Sequence, residues 1–247
     1  MANVNDSFFD GYYKDIWKSV IPAELTRKEI EFMIPYFKLD VSSKVLDLMC
    51  GHGRHTLALA RKGISVTAVD NLASYIEEIR EMAEKESLPV RPVCAPVLDY
   101  TDEGGYDLAI CMGNSFNFFT PDEAAHLLKK IFAALKPGGY FLLNSWSLAE
   151  TAYTKFTATS TGKMGEMEMH TQSSFHFDPA RIETHSTIVT PEGHQEEKDA
   201  VDYIYTLSEM KAMFHLAGLE LTEAWSIPGR KPFSLGEPRA YLVAVRP

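Results

Sequence analysis

The sequence has few cysteines, only Cys50, Cys94 and Cys111 among its 247 residues. An odd number without a C-x-x-C pair excludes a disulfide framework and the common zinc motifs. It is typical of a protein kept reduced, and we therefore expect a cytoplasmic location. Free cysteines are among the most buried residue types, so we expect these three thiols to pack in the interior.

Long apolar runs are also missing. No stretch approaches the about 20 consecutive apolar residues that a membrane-spanning helix needs. Residues 1–10 are polar and acidic, which does not fit a secretory signal peptide. From these two absences we expect no leader and no contact with a membrane.

Basic residues are outnumbered, with 24 Lys and Arg against 34 Asp and Glu and a net charge of −10. Adjacent basic residues occur only as pairs, such as Arg27-Lys28. Nucleic-acid binding depends on Lys and Arg that neutralise phosphates, so this composition argues against a nucleic-acid partner. A small molecule or a protein is the expected partner.

The segment from Val45 to Ala60 is the most informative part of the sequence. An apolar run, a turn with Gly51 and Gly53, and an apolar helical pattern follow one another. Such a turn places bare backbone and a helix N-terminus at the end of a strand. A second strand, Ser65 to Asp70, ends in a carboxylate 19 residues after Gly51. A carboxylate about 20 residues beyond a glycine turn suits a ribose diol, so we predict a nucleoside-binding β-α-β unit.

The same segment favours one kind of nucleoside. The dinucleotide pattern G-x-G-x-x-G needs a third glycine, and Thr56 stands there. Asp47 lies at the strand end, where a carboxylate repels a pyrophosphate and attracts an ammonium group. S-adenosylmethionine has an adenosine, a sulfonium and an ammonium group and no phosphate, so it is favoured over NAD. An NAD-dependent oxidoreductase is the alternative.

Several segments together resemble the class I, Rossmann-like S-adenosylmethionine-dependent methyltransferases. Asp47 to His55 is similar to the D-x-x-C-G-x-G-R-H variant of that family's first motif, and Asp70 matches its ribose carboxylate. Tyr106 to Ser115 resembles its fourth strand, and Leu135 to Phe141 resembles the turn before its fifth. The resemblance covers about residues 41–147.

The resemblance implies an α/β fold with a doubly wound sheet, mostly parallel with an antiparallel last strand. Residues 41–150 and 205–247 would form the cofactor-binding methyltransferase domain. Residues 1–40 would supply an aromatic lid and a helix. Period-2 alternation in residues 151–204 predicts an inserted antiparallel meander of about three strands. That meander would cap the acceptor or form a dimer contact.

The resemblance also implies a cofactor site built from the glycine turn, the ribose carboxylate and neighbouring strand ends. Pro96 stands where the family usually has an acidic residue for the adenine amino group. Adenine would then be held by backbone near Val97 and Leu98, or by Asp99 after a local shift. The predicted cofactor-binding residues are Asp47, Cys50, Gly51, Gly53, Arg54, Asp70, Asn71, Val97, Leu98 and Met112, with Tyr13 and Trp17 from the aromatic segment.

The methyl acceptor would lie beyond the fourth strand, because ligands of open α/β sheets bind outside the strand ends. Aromatic residues of the meander would complete its pocket. The candidates are Asn114, Ser115, Asn117, Phe175, Phe177 and Tyr203.

No catalytic residue is assigned. The cofactor carries an activated methyl group, so a base is needed only if the attacking atom still holds a proton. The meander histidines, His170, His176, His185 and His194, match no compact ligand set, so no metal is expected. The predicted function is methyl transfer to a small molecule by in-line displacement, with the acceptor and the attacking atom left open. A non-catalytic S-adenosylmethionine-binding regulatory protein is a further alternative.

Overall fold

An eight-stranded sheet lies at the centre of the structure, a computed structural model that describes residues 3–102 and 104–247. The first two residues of the predicted N-terminal segment lie outside the described part. In chain order the strands are β1 (Lys44–Leu48), β2 (Ser65–Asp70), β3 (Val90–Cys94), β4 (Tyr106–Cys111), β5 (Leu135–Ser145), β6 (Thr159–Met164), β7 (Met167–Phe177), β8 (Ala180–Val189), β9 (Gln195–Tyr203), β10 (Glu220–Ile227), β11 (Lys231–Pro232) and β12 (Ala240–Val245).

Helices cover the sheet and connect its strands. Two short 3-10 turns, at Val4–Ser7 and Ser115–Phe118, accompany them. The α-helices are α1 (Gly11–Val20), α2 (Ala23–Tyr36), α3 (Arg54–Ala60), α4 (Ala73–Glu86), α5 (Pro121–Ala134), α6 (Ala149–Lys155) and α7 (Leu207–Leu216). None of these described helices is long and apolar enough to cross a membrane.

The central sheet has the order β11-β10-β12-β5-β4-β1-β2-β3. Strands β1 to β5 pair in parallel, and β12 runs antiparallel to both β5 and β10. The predicted α/β fold, mostly parallel with an antiparallel last strand, is therefore confirmed. The strand order changes direction between β1 and β4, and in open sheets such a switch point is where a ligand crevice forms.

The inner strands are continuous apolar runs because helices cover both of their faces. On one face Phe141 and Leu46 pack with the apolar sides of α5 and α7. On the other face Val45 and Leu142 pack with α2 and α3. The sheet is rigid as a result, and it fixes the positions of the loops that leave its carboxyl edge.

The predicted antiparallel meander is present, with four strands where about three were expected. The insertion forms a four-stranded antiparallel sheet of order β6-β7-β8-β9, and α6 precedes it. Strand β6 is exposed along almost its whole length and contains threonine, serine and glycine, so it has no apolar alternation to read. Strand β7 shows alternating burial along most of its length, and β8 shows it only over its last five residues. The sequence predicted both strands from their alternating residue types.

Candidate cofactor site

A cavity of about 610 Å³ opens at the carboxyl edge of β1, β2 and β4. It brings together most of the residues that the sequence predicted for the cofactor. Those that line it are Trp17, Asp47, Cys50, Gly51, Arg54, Asp70, Asn71, Val97, Leu98 and Met112, and the predicted acceptor residue Ser115 joins them.

The glycine turn presents its backbone to this cavity. Gly51 has a left-handed φ of +55°, and a Cβ added to it would meet no atom within 4 Å. The turn is therefore open toward the cavity, and its backbone can be approached closely. The Gly51 N–H donates to the Asp70 carboxylate at 2.8 Å, which fixes the turn against the end of β2.

Gly53 has a different role from Gly51. It precedes α3 with a φ of +75°, and a Cβ there would lie 2.6 Å from the Ile79 side chain of α4. Its backbone conformation and the close approach of α4 require a glycine. Gly53 is not among the residues that line the cavity, so the structure does not place it in the predicted contact with the cofactor.

Two buried carboxylates of the cavity wall, Asp70 and Asp47, accept hydrogen bonds from different donors. Asp70 accepts the N–H groups of Gly51 and Leu72, at 2.8 and 2.9 Å. Burial raises the pKa of Asp70, although these backbone bonds act in the opposite direction. Asp47 is more deeply buried and accepts the Thr56 hydroxyl at 2.6 Å, and burial raises its pKa as well. Thr56, at the position of the missing third glycine, therefore holds Asp47 in place.

Arg54 belongs to a buried network that the sequence did not reveal. Its guanidinium reaches Glu29 of α2 at 2.5 Å, and His55 Nε2 lies 2.9 Å from the same carboxylate. The Tyr241 hydroxyl of β12 donates to Glu29 at 2.8 Å. Burial alone would raise the pKa of Glu29, but His55 and Arg54 outweigh it and lower that pKa to about 2. No motif marked Glu29, because it lies on a helix with an ordinary mixed pattern.

The N-terminal segment closes one side of the cavity. Phe9 and Trp17 line it, whereas Tyr13 stacks on Trp17 at 6.4 Å between ring centroids and does not line it. Sequence reasoning missed the polar residues Asn5 and Asp6, which also line the cavity. The short capping box around Val4–Ser7 is the sequence feature that could have indicated an ordered turn there. The aromatic residues that follow drew the prediction away from it.

The adenine end of the predicted site has free hydrogen-bonding groups of both kinds. Pro96, Val97, Leu98 and Asp99 all line the cavity. Among the described residues, the N–H groups of Val97 and Leu98 donate to no acceptor, and the Asp99 carboxylate accepts from no donor. The Leu98 carbonyl, by contrast, accepts the Lys130 ammonium at 2.6 Å.

The predicted acceptor residues are mostly elsewhere. Asn114 and Asn117 are each 1% exposed and their amides are used in the interior. Asn114 Oδ1 accepts the N–H groups of Trp146 and Ser147, and Asn117 Nδ2 donates to the Tyr203 carbonyl. The structure therefore places both asparagines in supporting contacts outside the cavity wall.

The aromatic candidates of the insertion also lie outside the cavity. The Phe175 and Phe177 rings are tilted against each other with their centroids 5.1 Å apart, next to Tyr153 and Phe156, and Phe177 is 83% exposed. Tyr203 packs partly buried against the main core. Alternating strands place such side chains by face, and the sequence did not reveal which face turns toward the cavity.

Carboxylates dominate the charge of the cavity wall. Arg54 is its only Lys or Arg among the described residues. Such a wall favours a ligand with positive charge and disfavours a pyrophosphate. The described residues contain no group of three or more His, Cys, Asp or Glu that could hold a metal. The acidic side chains of the wall are Asp6, Asp47, Asp70, Asp99 and Glu123.

Comparison with known proteins agrees with this geometry. Residues 45–139 match the family model described as a methyltransferase domain, which is less than half of the chain. The whole fold resembles an S-adenosylmethionine-dependent methyltransferase from Clostridium acetobutylicum, with a TM-score of 0.80, 17% identity, and coverage of 95% of this chain and 96% of that chain. At this identity the likeness shows the fold alone, and the family model covers the segment that contains the glycine turn and Asp70.

Curated relatives share only part of the chain. One is an S-adenosyl-L-methionine-dependent Diels-Alderase of Talaromyces variabilis, 30% identical over 54% of this chain and 47% of that protein. Another is a glycine/sarcosine N-methyltransferase of Halorhodospira halochloris, 29% identical over 56% of this chain and 53% of that protein. The chain thus spans about half the length of these relatives.

Proposed function

We propose that this chain is an S-adenosylmethionine-dependent methyltransferase that acts on a small molecule. The observation that carries the proposal is the cavity beside the glycine turn, where bare backbone at Gly51 and the Asp70 carboxylate meet under an acidic wall. The matching methyltransferase domain model supports it.

The residues present fit the cofactor part by part. Asp70 would accept the ribose hydroxyls, since its two oxygens have lone pairs beyond the two backbone bonds they already accept. Backbone at Gly51, with Asp47 beneath it, would hold the amino acid end. Val97, Leu98 and Asp99 would hold adenine, with free N–H donors and a free carboxylate. Met112 would pack against the bound molecule.

When bound, S-adenosylmethionine supplies a methyl group activated by a sulfonium. The chain then has to bind both partners, align them and exclude water. Phe9 and Trp17 cover the cavity from the N-terminal side and would keep water away from the cofactor. Ser115 lines the cavity after β4, and it is the predicted acceptor residue that we would expect to contact the acceptor.

The relatives favour a small acceptor. The glycine/sarcosine N-methyltransferase is named for small amines. The acidic wall and the net charge of −10 disfavour a nucleic acid. The same wall disfavours the NAD alternative, because it has five acidic residues against one arginine among the described residues and a pyrophosphate is itself negatively charged.

A second candidate function is S-adenosylmethionine binding without methyl transfer. The relative from Talaromyces variabilis favours it, because its name describes a Diels-Alderase that depends on the same cofactor. In that case the chain would bind the cofactor and transfer no methyl group to any acceptor.

An acceptor screen separates the two. Purified chain would be incubated with methyl-labelled cofactor and fractionated small-molecule pools, with Asp70→Ala as the control that should lose cofactor binding. The proposal expects label in a small molecule with the wild type and a large loss with Asp70→Ala. Tight cofactor binding without labelled product in any pool would contradict methyl transfer and favour the second candidate.

A further inference from the structure

A carboxylate without a charged partner lies just beyond the cavity, on β9. Asp202 Oδ1 accepts the Asn114 side-chain amide at 2.7 Å and the Ser147 hydroxyl at 3.3 Å. Its other oxygen accepts no hydrogen bond from the described residues, and no Lys, Arg or His among them forms an ion pair with it. Neutral donors therefore hold one oxygen of Asp202 in place and leave the other available.

Aromatic rings accompany this carboxylate. The Trp17 and Trp146 rings lie 5.9 Å apart, and Tyr13 stacks on Trp17. Burial and, second, the Asp202 charge raise the pKa of the Tyr13 phenol. Trp146 immediately precedes Ser147, whose hydroxyl donates to Asp202 at 3.3 Å, and this places the aromatic group beside the carboxylate. Tyr13, Trp146 and Asp202 are all half-buried, which leaves them accessible to a ligand.

Two connections place Asp202 beside the cavity. Gly113 lines the cavity, and the next residue, Asn114, is the one whose amide holds Asp202. From the other side, Asn5 lines the cavity and exchanges two hydrogen bonds with the backbone of Val201, at 2.9 and 3.0 Å. Trp17 belongs to both groups, since it lines the cavity and contacts Trp146. Asp202 therefore lies at the end of the cavity where β4 stops.

A carboxylate with a free oxygen and aromatic neighbours is suited to a cation. A charge that is largely removed from water and lacks an opposite partner is unfavourable, and here partial burial raises the pKa of Asp202 to about 6. An ammonium group would pair with the carboxylate through a charge-assisted hydrogen bond, and the ring faces would add cation–π attraction. A neutral hydroxyl or thiol would still donate a hydrogen bond to the carboxylate, but it would lack both the attraction between opposite charges and the cation–π term.

We infer that Asp202, together with Tyr13, Trp17 and Trp146, forms the acceptor subsite and selects a methyl acceptor that has an amino group. This inference rests on the proposed function, since the subsite receives an acceptor only if the neighbouring cavity holds the methyl donor. It assigns the specificity to Asp202 and not to Phe175 and Phe177, which belong to a separate aromatic cluster with Tyr153 and Phe156.

A binding experiment tests this without knowledge of the natural acceptor. Tryptophan fluorescence of the full chain would be titrated at pH 7.5 with n-butylamine, which is cationic there, and with n-butanol, which has the same length and no charge. Both titrations are repeated with S-adenosylhomocysteine present. We expect the amine to bind at least tenfold more tightly than the alcohol.

Asp202→Asn is the informative variant, because an amide oxygen can still accept from Asn114 and Ser147 while the charge is gone. It should lose the preference for the amine and keep its affinity for S-adenosylhomocysteine. Asp199→Asn is the matched control and should keep the preference, because this carboxylate lies exposed on the same strand and is hydrogen-bonded to His185.

The outcomes separate the two claims. Equal binding of amine and alcohol to the wild type, binding of neither, or an unchanged preference in Asp202→Asn would overturn the amine subsite. The wild-type comparison decides the matter even if the variant does not fold. If the wild type does not bind S-adenosylhomocysteine, that result contradicts the proposed function. The amine and alcohol titrations carried out without S-adenosylhomocysteine would still test Asp202.

Discussion

At the scale of single residues, Asp70 serves the fold and the proposed cofactor at once. One of its oxygens accepts the Gly51 N–H and anchors the turn, and the other accepts the N–H of Leu72, the residue just before α4. We predict that Asp70→Asn weakens S-adenosylmethionine binding at least tenfold, because charge-assisted hydrogen bonds contribute about 1.5–3 kcal/mol each. Calorimetric titration measures this.

The control for that prediction is Asp122→Asn, an exposed carboxylate in the first turn of α5. Thermal unfolding of both variants shows whether Asp70→Asn still folds. A folded Asp70→Asn with wild-type affinity would contradict the ribose assignment.

Asp99 is the residue best placed for the adenine amino group, since Pro96 has no side-chain acceptor and the Leu98 carbonyl already binds Lys130. We predict that the wild type binds S-adenosylhomocysteine about tenfold more tightly than S-inosylhomocysteine, which lacks that amino group. Asp99→Ala should reduce this preference. If the variant discriminates as well as the wild type, backbone groups near Val97 and Leu98 recognise adenine instead.

Residue roles were only partly predictable. Gly51 and Gly53 have the same spacing signal, yet one faces the cavity and the other meets α4, because the difference depends on a helix 26 residues further along the chain, at Ile79. Asn114 and Asn117 follow the right strand, but their amides are used by backbone groups of distant residues. Local spacing predicts that a residue is near a site, whereas the direction of its side chain depends on tertiary packing.

At the scale of elements, Glu29 joins α2 to α3 and β12. Removal of one partner from a buried ionic network leaves the other charges unpaired, at a cost of about 3–5 kcal/mol. We predict that Glu29→Gln lowers the free energy of unfolding at pH 7 by roughly this amount, whereas Glu31→Gln, exposed on the same helix, does not. Urea denaturation of both variants checks it.

The pH dependence of the same network has a definite sign. The pKa of Glu29 is lowered in the fold from 4.5 to about 2, so its stabilisation is present above about 4.5 and is lost as the pH falls toward 2. The stability difference between wild type and Glu29→Gln should therefore shrink over that range. A difference that stays constant from pH 5 to pH 3 would show that Glu29 does not act as a charge.

The N-terminal turn is attached to the four-stranded sheet through Asn5, which is 5% exposed. We predict that Asn5→Ala releases residues 3–20, since the Val201 backbone groups and the turn lose their shared hydrogen bonds. Hydrogen–deuterium exchange should increase in that segment and stay unchanged in β1 to β5. Asp15→Ala, an exposed change in α1, is the control, and equal exchange in the two variants would contradict the attachment through Asn5.

Elements with a strong pattern were predictable and those without one were not. The β-α-β unit, α5 with its Thr120 cap and the closing β12 follow directly from periodicity and capping residues. Strand β6 was missed because its exposed residues are held by pairing with β7 alone. The Glu29 network was missed because its members are far apart in sequence.

At the scale of the whole molecule, the central sheet would bind the cofactor and the inserted sheet would contribute to acceptor binding. Every predicted cofactor residue in the cavity wall except Trp17 lies between the start of β1 and Met112, the residue after β4, whereas Asp202 comes from the insertion. A homodimer through the insertion stays a prediction. We would expect it at the cluster of exposed Tyr153, Phe156 and Phe177 around the half-buried Phe175.

Calorimetric titration of the whole chain is the most direct test of which ligand the cavity binds. The chain should bind S-adenosylmethionine and S-adenosylhomocysteine in a single site each and show no heat of binding with NAD at the same concentration. Binding of NAD with no response to S-adenosylmethionine would contradict the account, because it would mean that the acidic wall and the missing third glycine do not select the ligand.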